Sequence, residues 1–221
     1  MRRLILTLAL TMLAGVARPS LAGYVPNVTA TTTMGSGLST NLQNTVNGVG
    51  LGAAPLPTTT HGGTDALNAW VSSTGVLSGE VTFDLHGLYL VDQILFWNLN
   101  SNGAGPAGDA GIRDVVVLSS TDGIVFNPIM GGPLQFAKVP NPIALPETFT
   151  FAPLPATHLR FAVLNNWGDM NRTGFAEVAF QGIAVPEPSS MVLCGMFGVV
   201  ALGGWMRKSR KAQGEGQSNL D

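Results

Sequence analysis

Alternation of apolar and polar residues dominates the middle of this chain and limits what it can fold into. In residues 80–85 the apolar side chains fall at every second position, and a period of two places them on one face of a β-strand. Residues 89–97 are apolar nearly throughout, which predicts a central strand covered on both faces. Asp122-Gly123 is a tight-turn signal. Further strand-like runs are residues 112–119, 124–126, 148–151, 158–163 and 174–180.

These runs together predict the fold class. Between the two termini, no segment has a sustained helical period. About eight strands joined by Gly- and Pro-rich turns in one domain indicate an all-β fold, a β-sandwich of the jelly-roll type. Residues 23–64 are rich in Thr, Gly, Asn and Pro, so they predict a loop-rich entry with at most short strands.

Apolar segments with basic flanks stand at both ends of the chain. Arg2-Arg3 followed by the apolar residues 4–16 has the order of a secretory signal peptide, so residues 1–22 are predicted to be removed. Residues 189–206 carry no charge, and a transmembrane helix needs about 17–25 such residues. The basic residues that follow would stay on the cytoplasmic side as a membrane stop; they are Arg207, Lys208, Arg210 and Lys211.

The junction before the second apolar segment reads Pro186-Glu187-Pro188. The prolines cannot continue a helix and hold their neighbours extended, so Glu187 would be open to a protease. This motif, a short hydrophobic helix and a basic cluster resemble the bacterial PEP-CTERM protein-sorting tail, here residues 184–211, with residues 212–221 as a polar extension. The resemblance implies processing by signal peptidase and exosortase. It also implies that the C-terminal helix holds the protein in the inner membrane before processing. The processed protein would then reach a Gram-negative-type cell envelope, its outer surface or an extracellular matrix associated with exopolysaccharide.

The part of the chain between the signal peptide and the tail is acidic. Residues 23–185 hold four Lys or Arg and ten Asp or Glu, a formal net charge of −6. A domain with so few bases is a poor binder of nucleic acid, so no nucleic-acid partner is expected. The single cysteine, Cys194, lies in the apolar tail. The exported domain therefore has no disulfide and depends on packing.

A series of short motifs follows the predicted strands from Asn44 to Gln181. The motifs are Asn68-Ala69-Trp70-Val71, Val81-Thr82-Phe83-Asp84-Leu85, Ile94-Leu95-Phe96-Trp97-Asn98, Gly111-Ile112-Arg113-Asp114-Val115, Ser119-Ser120-Thr121-Asp122-Gly123 and Gly174-Phe175-Ala176-Glu177-Val178. The series resembles the discoidin, or coagulation-factor C-type, domain, a galactose-binding-like jelly roll, over residues 65–183. The resemblance implies binding of glycans, lipids or proteins by loops at one end of the sandwich, and a structural calcium ion.

A calcium site needs oxygen ligands, about six to eight from carboxylates and carbonyls. In the resembling family the acid of the last strand, here Glu177, joins an early loop at such a site, and Asp65 and Asn68 occupy that early region. The alternative is that Glu177 faces solvent or pairs with Arg113 or Arg160. No motif in the sequence requires a cofactor.

Two polar loops carry the side chains that sugar recognition uses. Sugars are bound by amide and carboxylate hydrogen bonds beside an aromatic face. The loop before the last strand supplies Trp167, Asn165, Asn166, Asp169 and Arg172, and the long loop 98–111 adds Asn98 and Asn100. The alternative is that Asn, Asp and Gly serve as turn residues and that Trp167 closes the end of the sandwich.

Catalysis has little support in the sequence. It contains no Gly-x-Ser-x-Gly elbow, phosphate-binding Gly loop or metalloprotease helix. A glycosidase needs two carboxylates facing one cleft, and nothing in the sequence pairs two of the acids. We therefore predict a non-catalytic surface protein whose jelly roll binds exopolysaccharide or another glycan. The alternatives are a structural envelope component without a small ligand and a polysaccharide hydrolase.

Overall fold

The computed structural model describes residues 23–100, 107–139 and 143–186. The chain divides into two units, Met1–Ala184 and Val185–Asp221, and every element below belongs to the first. The predicted signal peptide, Glu187 and Pro188, the transmembrane segment 189–206 and the basic residues after it lie outside the described residues and stay predictions. Within the three described ranges, no helix has the length and apolar character needed to cross a membrane.

Eight β-strands and one short 3-10 helix make up the regular structure of the described residues. They are β1 (Gly23–Tyr24), β2 (Thr29–Thr32), the 3-10 helix (Leu42–Thr45), β3 (Trp70–Val71), β4 (Gly79–Asn98), β5 (Val115–Ser120), β6 (Asn127–Pro128), β7 (Glu147–Val163) and β8 (Gly174–Ala184). The prediction of an all-β fold is confirmed, since α-helix is absent from the described ranges.

The strands form one antiparallel sheet that folds over on itself. Its order is β1-β8-β4-β7-β5-β6, with β2 also on β4 and β3 on β8. Apart from a smaller irregularity between Val91 and Gln93, the long strands β4 and β7 pair in two stretches, separated by a register shift between Asp84 and Tyr89 of β4. β2 pairs with the first stretch of β4 and β8 with the second. The shift contains His86, whose φ is 52°, and there the sheet turns from one layer of the sandwich to the other.

Aromatic rings fill the space between the two layers. Phe83, on the first stretch of β4, contacts Phe161 of β7 and Phe180 of β8, with ring centroids 4.9 and 5.1 Å away. Both pairs meet edge to face, an arrangement worth about 0.5–1.5 kcal/mol per pair beyond buried area. Phe96 stacks on Phe136 at 3.7 Å. All five rings are fully buried, so the core of the sandwich holds the two layers together.

The polarity pattern of β4 predicts its orientation correctly. All three apolar side chains of residues 80–85 are at most 1% exposed. In the second stretch, Phe96 lies in the main core, whereas Leu95 and Trp97 join a second cluster with Ala144 on the opposite face. This stretch is therefore covered on both faces, as its continuous apolar sequence predicts.

The predicted strand at residues 124–126 is wrong. The Asp122 carboxylate accepts hydrogen bonds from the backbone amides of Ile124 and Val125 at 2.8 and 2.9 Å. These bonds hold both residues in the turn, where they are 82% and 60% exposed. The strand, β6, begins only at Asn127.

The two ends of β5 mark the two ends of the sandwich. Before β5, the Asp114 amide donates to the Asn165 side chain; residues 107–114 and 164–173 meet there and are called the loop end. After β5, which ends at Ser120, the chain turns; residues 119–127 and 154–155 are called the hairpin end. The six residues of β5, at about 3.3 Å each, separate the two ends by about 20 Å.

Candidate functional site

The loop between β7 and β8 is fastened to the segment before β5. The Asn165 carboxamide accepts from the backbone amide of Asp114 at 3.1 Å and donates to Oδ2 of the same residue at 2.6 Å. Hydrogen bonds from Gln135, from this carboxamide and from Arg113 hold the pKa of the Asp114 carboxyl below its ordinary value. Both polar atoms of the Asn165 side chain are thus used inside the protein.

Asn166 braces the same loop from within. Its Nδ2 donates to the carbonyl oxygens of Asp169 and Arg172, both at 2.8 Å, and to Thr173 Oγ1 at 3.2 Å. Its Oδ1 accepts from the backbone amide of Gly168 at 2.9 Å. The residue is only 7% exposed. Its hydrogen-bonding capacity therefore serves the shape of the loop.

Trp167 closes the loop end without being fully buried. Its indole Nε1 donates to the carbonyl of Phe136 at 3.1 Å, and its backbone amide donates to Gly111 at 3.2 Å. The guanidinium of Arg113 lies 5.8 Å from the ring centroid, a cation–π distance. The residue is half-buried, so it packs against the scaffold and leaves part of its surface exposed.

Asp169 and Arg172 shape the outer part of the loop. Asp169 Oδ1 accepts from the backbone amides of Asn171 and Arg172 at 2.7 and 2.8 Å. The Arg172 guanidinium donates to Thr74 Oγ1 at 2.8 Å, while its Nε has no hydrogen-bond partner in the part of the chain that the structure describes. Met170, between them, is 85% exposed. Asp169 therefore caps the backbone of its own loop, and Arg172 ties the loop to Thr74.

Asn98 and Asn100 are structural supports in the observed geometry. They are 1% and 0% exposed. Asn98 Nδ2 donates to the carbonyls of Ile112 and Ala137 at 2.7 and 2.9 Å. Asn100 ties together the backbone of residues 62–64 through both polar atoms of its side chain. A ligand would have to displace these bonds to reach either amide.

Five of the seven predicted ligand residues lie in the loop between β7 and β8, where the sequence placed them, and the structure adds neighbours that the sequence did not single out for ligand contact. Arg113 lies on the Trp167 ring and Thr74 holds Arg172. The only signal for Arg113 was its place in the Gly111-Ile112-Arg113-Asp114 motif. Nothing in the sequence marked Thr74, since it contacts the loop from 98 positions away.

Glu177 lies buried on β8, at 1% exposure. Its Oε1 accepts from the backbone amide of Gly48 at 3.2 Å, and its Oε2 has no hydrogen-bond partner among the described residues. Burial raises the pKa of Glu177 to about 9, against the opposing effect of the Gly48 hydrogen bond. Neither Arg113 nor Arg160 pairs with it: their ion pairs are with Asp114 and Glu80.

A buried carboxylate oxygen without a partner suits a cation ligand, because calcium prefers carboxylate oxygen. Glu177 thus fits the implied ion. The side-chain hydrogen bonds of Asp65 and Asn68 instead stay within residues 63–68: each caps the local turn. Within the described ranges, no cluster of three or more His, Cys, Asp or Glu could hold a metal. Backbone carbonyls of the loop near Gly48 would have to complete the set, and the calcium site stays a prediction.

No protein-family model matches the chain, and no curated protein matches it. Solved structures do match. CBM32-3 from a family 31 glycoside hydrolase of Clostridium perfringens is 21% identical over 73% of this chain and 94% of that chain, with a TM-score of 0.50. CBM32-1 from a family 31 glycoside hydrolase of the same organism is 14% identical over 71% and 95%, with a TM-score of 0.49.

A family 89 glycoside hydrolase of Clostridium perfringens, in complex with its substrate GlcNAc-α-1,4-galactose, is 20% identical over 74% of this chain, with a TM-score of 0.48. The chain spans about 15% of that hydrolase. At these identities the likeness shows the fold alone. The fold is the jelly roll of CBM32-3.

Proposed function

We propose that this chain is an exported, non-catalytic surface protein whose jelly roll binds exopolysaccharide or another glycan. The observation that carries the proposal is the CBM32 fold, in which loops at one end of the sandwich are free to vary around a rigid scaffold. The loop end of this chain has the required chemistry. It sets the half-buried Trp167 beside the guanidinium of Arg113, and the loop that carries Trp167 also carries Asp169 and Arg172.

The sequence of the two ends supports an envelope location. The proposal assigns residues 1–22 to a signal peptide cut by signal peptidase, and residues 184–211 to a sorting tail cut by exosortase near Pro186-Glu187-Pro188. The protein would pass through the inner membrane and end at the outer surface or in the extracellular matrix. The two alternatives, a structural component without a ligand and a polysaccharide hydrolase, make different predictions in the experiment below.

A structural calcium ion held by Glu177 is part of the same proposal. Its support is the buried Oε2 of Glu177, which has no hydrogen-bond partner within residues 23–100, 107–139 and 143–186. Calcium would neutralise this carboxylate and fix the loop around Gly48 against β8. The ion would stabilise the fold and would have no role in chemistry.

The test is a glycan-array screen of the purified chain, with and without calcium, followed by titration of the best glycan. We expect saturable binding that Trp167→Ala abolishes and Trp167→Phe partly retains, because phenylalanine keeps an aromatic face but loses the indole N–H. Met170→Ala is the matched control, since this side chain is exposed on the same loop. Circular dichroism of each variant separates lost binding from lost folding.

Each outcome decides between the three functions. Saturable binding that depends on Trp167 supports the glycan-binding protein. Blank arrays under both calcium conditions, together with a missing-matrix phenotype on deletion, would leave the structural component. Turnover of a labelled polysaccharide would overturn the non-catalytic part of the proposal and favour the hydrolase.

A further inference from the structure

A groove of about 380 Å³ opens at the hairpin end, away from the loops described above. Its volume is at the small end of the range of ligand sites, about 300–1,000 Å³. Its lining includes Ser119, Asp122, Val125, Asn127, Leu154 and Pro155. None of the sequence motifs had pointed to it as a site.

The groove exists because two neighbouring strands separate. β5 and β7 pair as far as Ser120 and His158. Beyond this point β5 turns back into β6, while β7 continues into the other layer, where Leu154 pairs with Val91 of β4. Thr157 Oγ1 donates to the carbonyl of Ser120 at 3.4 Å. This hydrogen bond therefore joins the two strands where they begin to diverge, and the groove opens beyond it.

Polar side chains replace apolar ones where the inner face of the sandwich reaches this corner. Val115 and Val117 of β5 are buried in the core at 1% and 2% exposure. The next position of the same face is Ser119, because successive side chains of a strand alternate between faces. Ser119 pairs with Asn127 of β6, so both side chains emerge on one face. At this corner the apolar core therefore gives way to the hydroxyl of Ser119 and the carboxamide of Asn127, which line the groove.

Among the described residues that line the groove, Asp122 carries the charge. Asp122 Oδ1 accepts from Ser120 Oγ and from the amides of Ile124 and Val125. The two amides first, and then the hydroxyl, lower the pKa of Asp122, so its carboxylate is charged at neutral pH. All three bonds go to Oδ1, and Oδ2 keeps its capacity to accept from a ligand.

This combination suits one chemical class. A pyranose ring has an apolar C–H face and a rim of hydroxyl groups; Leu154 and Pro155 supply an apolar surface, and Ser119, Asn127 and Asp122 supply donors and acceptors. We propose that the hairpin-end groove is a second carbohydrate subsite that takes one uncharged pyranose unit. The Asp122 carboxylate disfavours uronic acids, because like charges repel.

Such a subsite would make the domain bivalent. It lies about 20 Å from the loop end, the length of β5. Two sites at opposite ends of one sandwich can engage two polysaccharide chains or two segments of one chain, which raises avidity without any new contact. The inference extends the proposed glycan binding, but the groove can be tested separately because the two ends share no residue.

The experiment is an NMR titration of the isotope-labelled full chain, in a detergent without a sugar headgroup, with the methyl glycosides of galactose, glucose, N-acetylgalactosamine and galacturonic acid. We expect at least one neutral glycoside to shift the amide resonances of residues 119–127 saturably, and galacturonic acid to leave them unmoved. Val125→Trp, which fills the groove, should weaken this binding at least about tenfold, and Asn127→Ala, which removes one hydrogen-bonding partner, about tenfold. Ile124→Trp is the matched control, because Ile124 is 82% exposed beside the groove and does not line it.

The outcomes separate the two ends. Shifts at residues 119–127 that persist in Trp167→Ala and disappear in Val125→Trp support the inference. Shifts confined to residues 164–173 would overturn it and leave the proposed function standing. Shifts at the hairpin end without any at the loop end would support the groove and count against the loop end. An absence of saturable shifts at residues 119–127 with every neutral glycoside overturns the inference.

Discussion

The buried carboxyl of Glu177 makes the stability of this fold depend on pH in a particular direction. Its folded-state pKa of about 9 lies well above the ordinary value of 4.5. Between these values the folded state holds a proton that the unfolded state releases, so the free energy of unfolding falls as the pH rises. One group contributes a slope of about 1.4 kcal/mol per pH unit.

The perturbation is Glu177→Gln, measured by urea unfolding in EDTA at several pH values between about 5 and 8. Glutamine keeps an acceptor for the Gly48 amide and cannot ionise. Over three pH units, the wild type should lose up to about 4 kcal/mol more of its unfolding free energy than the variant. The comparison between the two proteins cancels the titration of all other groups that the substitution leaves unchanged.

Calcium provides the second half of this test. If the ion binds the carboxylate, excess calcium should flatten the pH dependence of the wild type and raise its midpoint, because a ligand that binds only the folded state stabilises it. It should leave Glu177→Gln unchanged. If the unfolding free energies of wild type and variant changed equally with pH in EDTA, the conclusion that burial raises the pKa of Glu177 would be refuted. A flat response of the wild type to calcium would refute the calcium proposal alone.

The remaining predictions concern packing and processing. Gly174→Ala should destabilise the fold by several kcal/mol or prevent folding, because the added Cβ would lie 2.1 Å from the carbonyl oxygen of Trp70. The control in thermal unfolding is Gly52→Ala, whose Cβ would meet nothing within 4 Å. Equal melting temperatures of the two variants would contradict the observed pairing of β3 with β8. Phe83→Ala should cost about 3–5 kcal/mol in urea unfolding, since it leaves a cavity between the layers; a loss below 1 kcal/mol would contradict its place in the core. Mass spectrometry of the envelope form should find a C-terminus near Pro188, whereas an intact Asp221 would contradict exosortase processing.

The sequence predicts the strands well because the apolar pattern that marks a strand lies within a few consecutive residues. In β4, every second residue of positions 80–85 is apolar and faces the core. Residues 94–97 form a second apolar run in the sequence. In the structure, the outer face of this run is covered by a loop that includes Leu51. What it does not show is that both runs form one strand, Gly79–Asn98, which bends at His86 with a positive φ.

The site was less predictable because its bonds join distant parts of the chain. The composition of the loop around Trp167 suggested sugar-binding amides. The side-chain amide of Asn165 hydrogen-bonds to Asp114, 51 positions away. The side-chain amide of Asn98 donates one of its hydrogen bonds to Ala137, 39 positions away. Composition gives the residue types but not their partners. The turn at Asp122 shows that composition can mislead over a short distance too. The Asp122 carboxylate accepts from the Val125 amide, which extends the turn through Val125, so the next strand begins later than the sequence predicts.

Glycan binding at the loop end is the central claim, and retention on the polysaccharide of the producing cells tests it most directly. The purified chain should be retained saturably on immobilised polysaccharide and displaced by free polysaccharide. Trp167→Ala, if still folded, should pass through the column, and Met170→Ala should be retained like the wild type. Flow-through of the folded wild type, or unchanged retention of Trp167→Ala, would contradict the account.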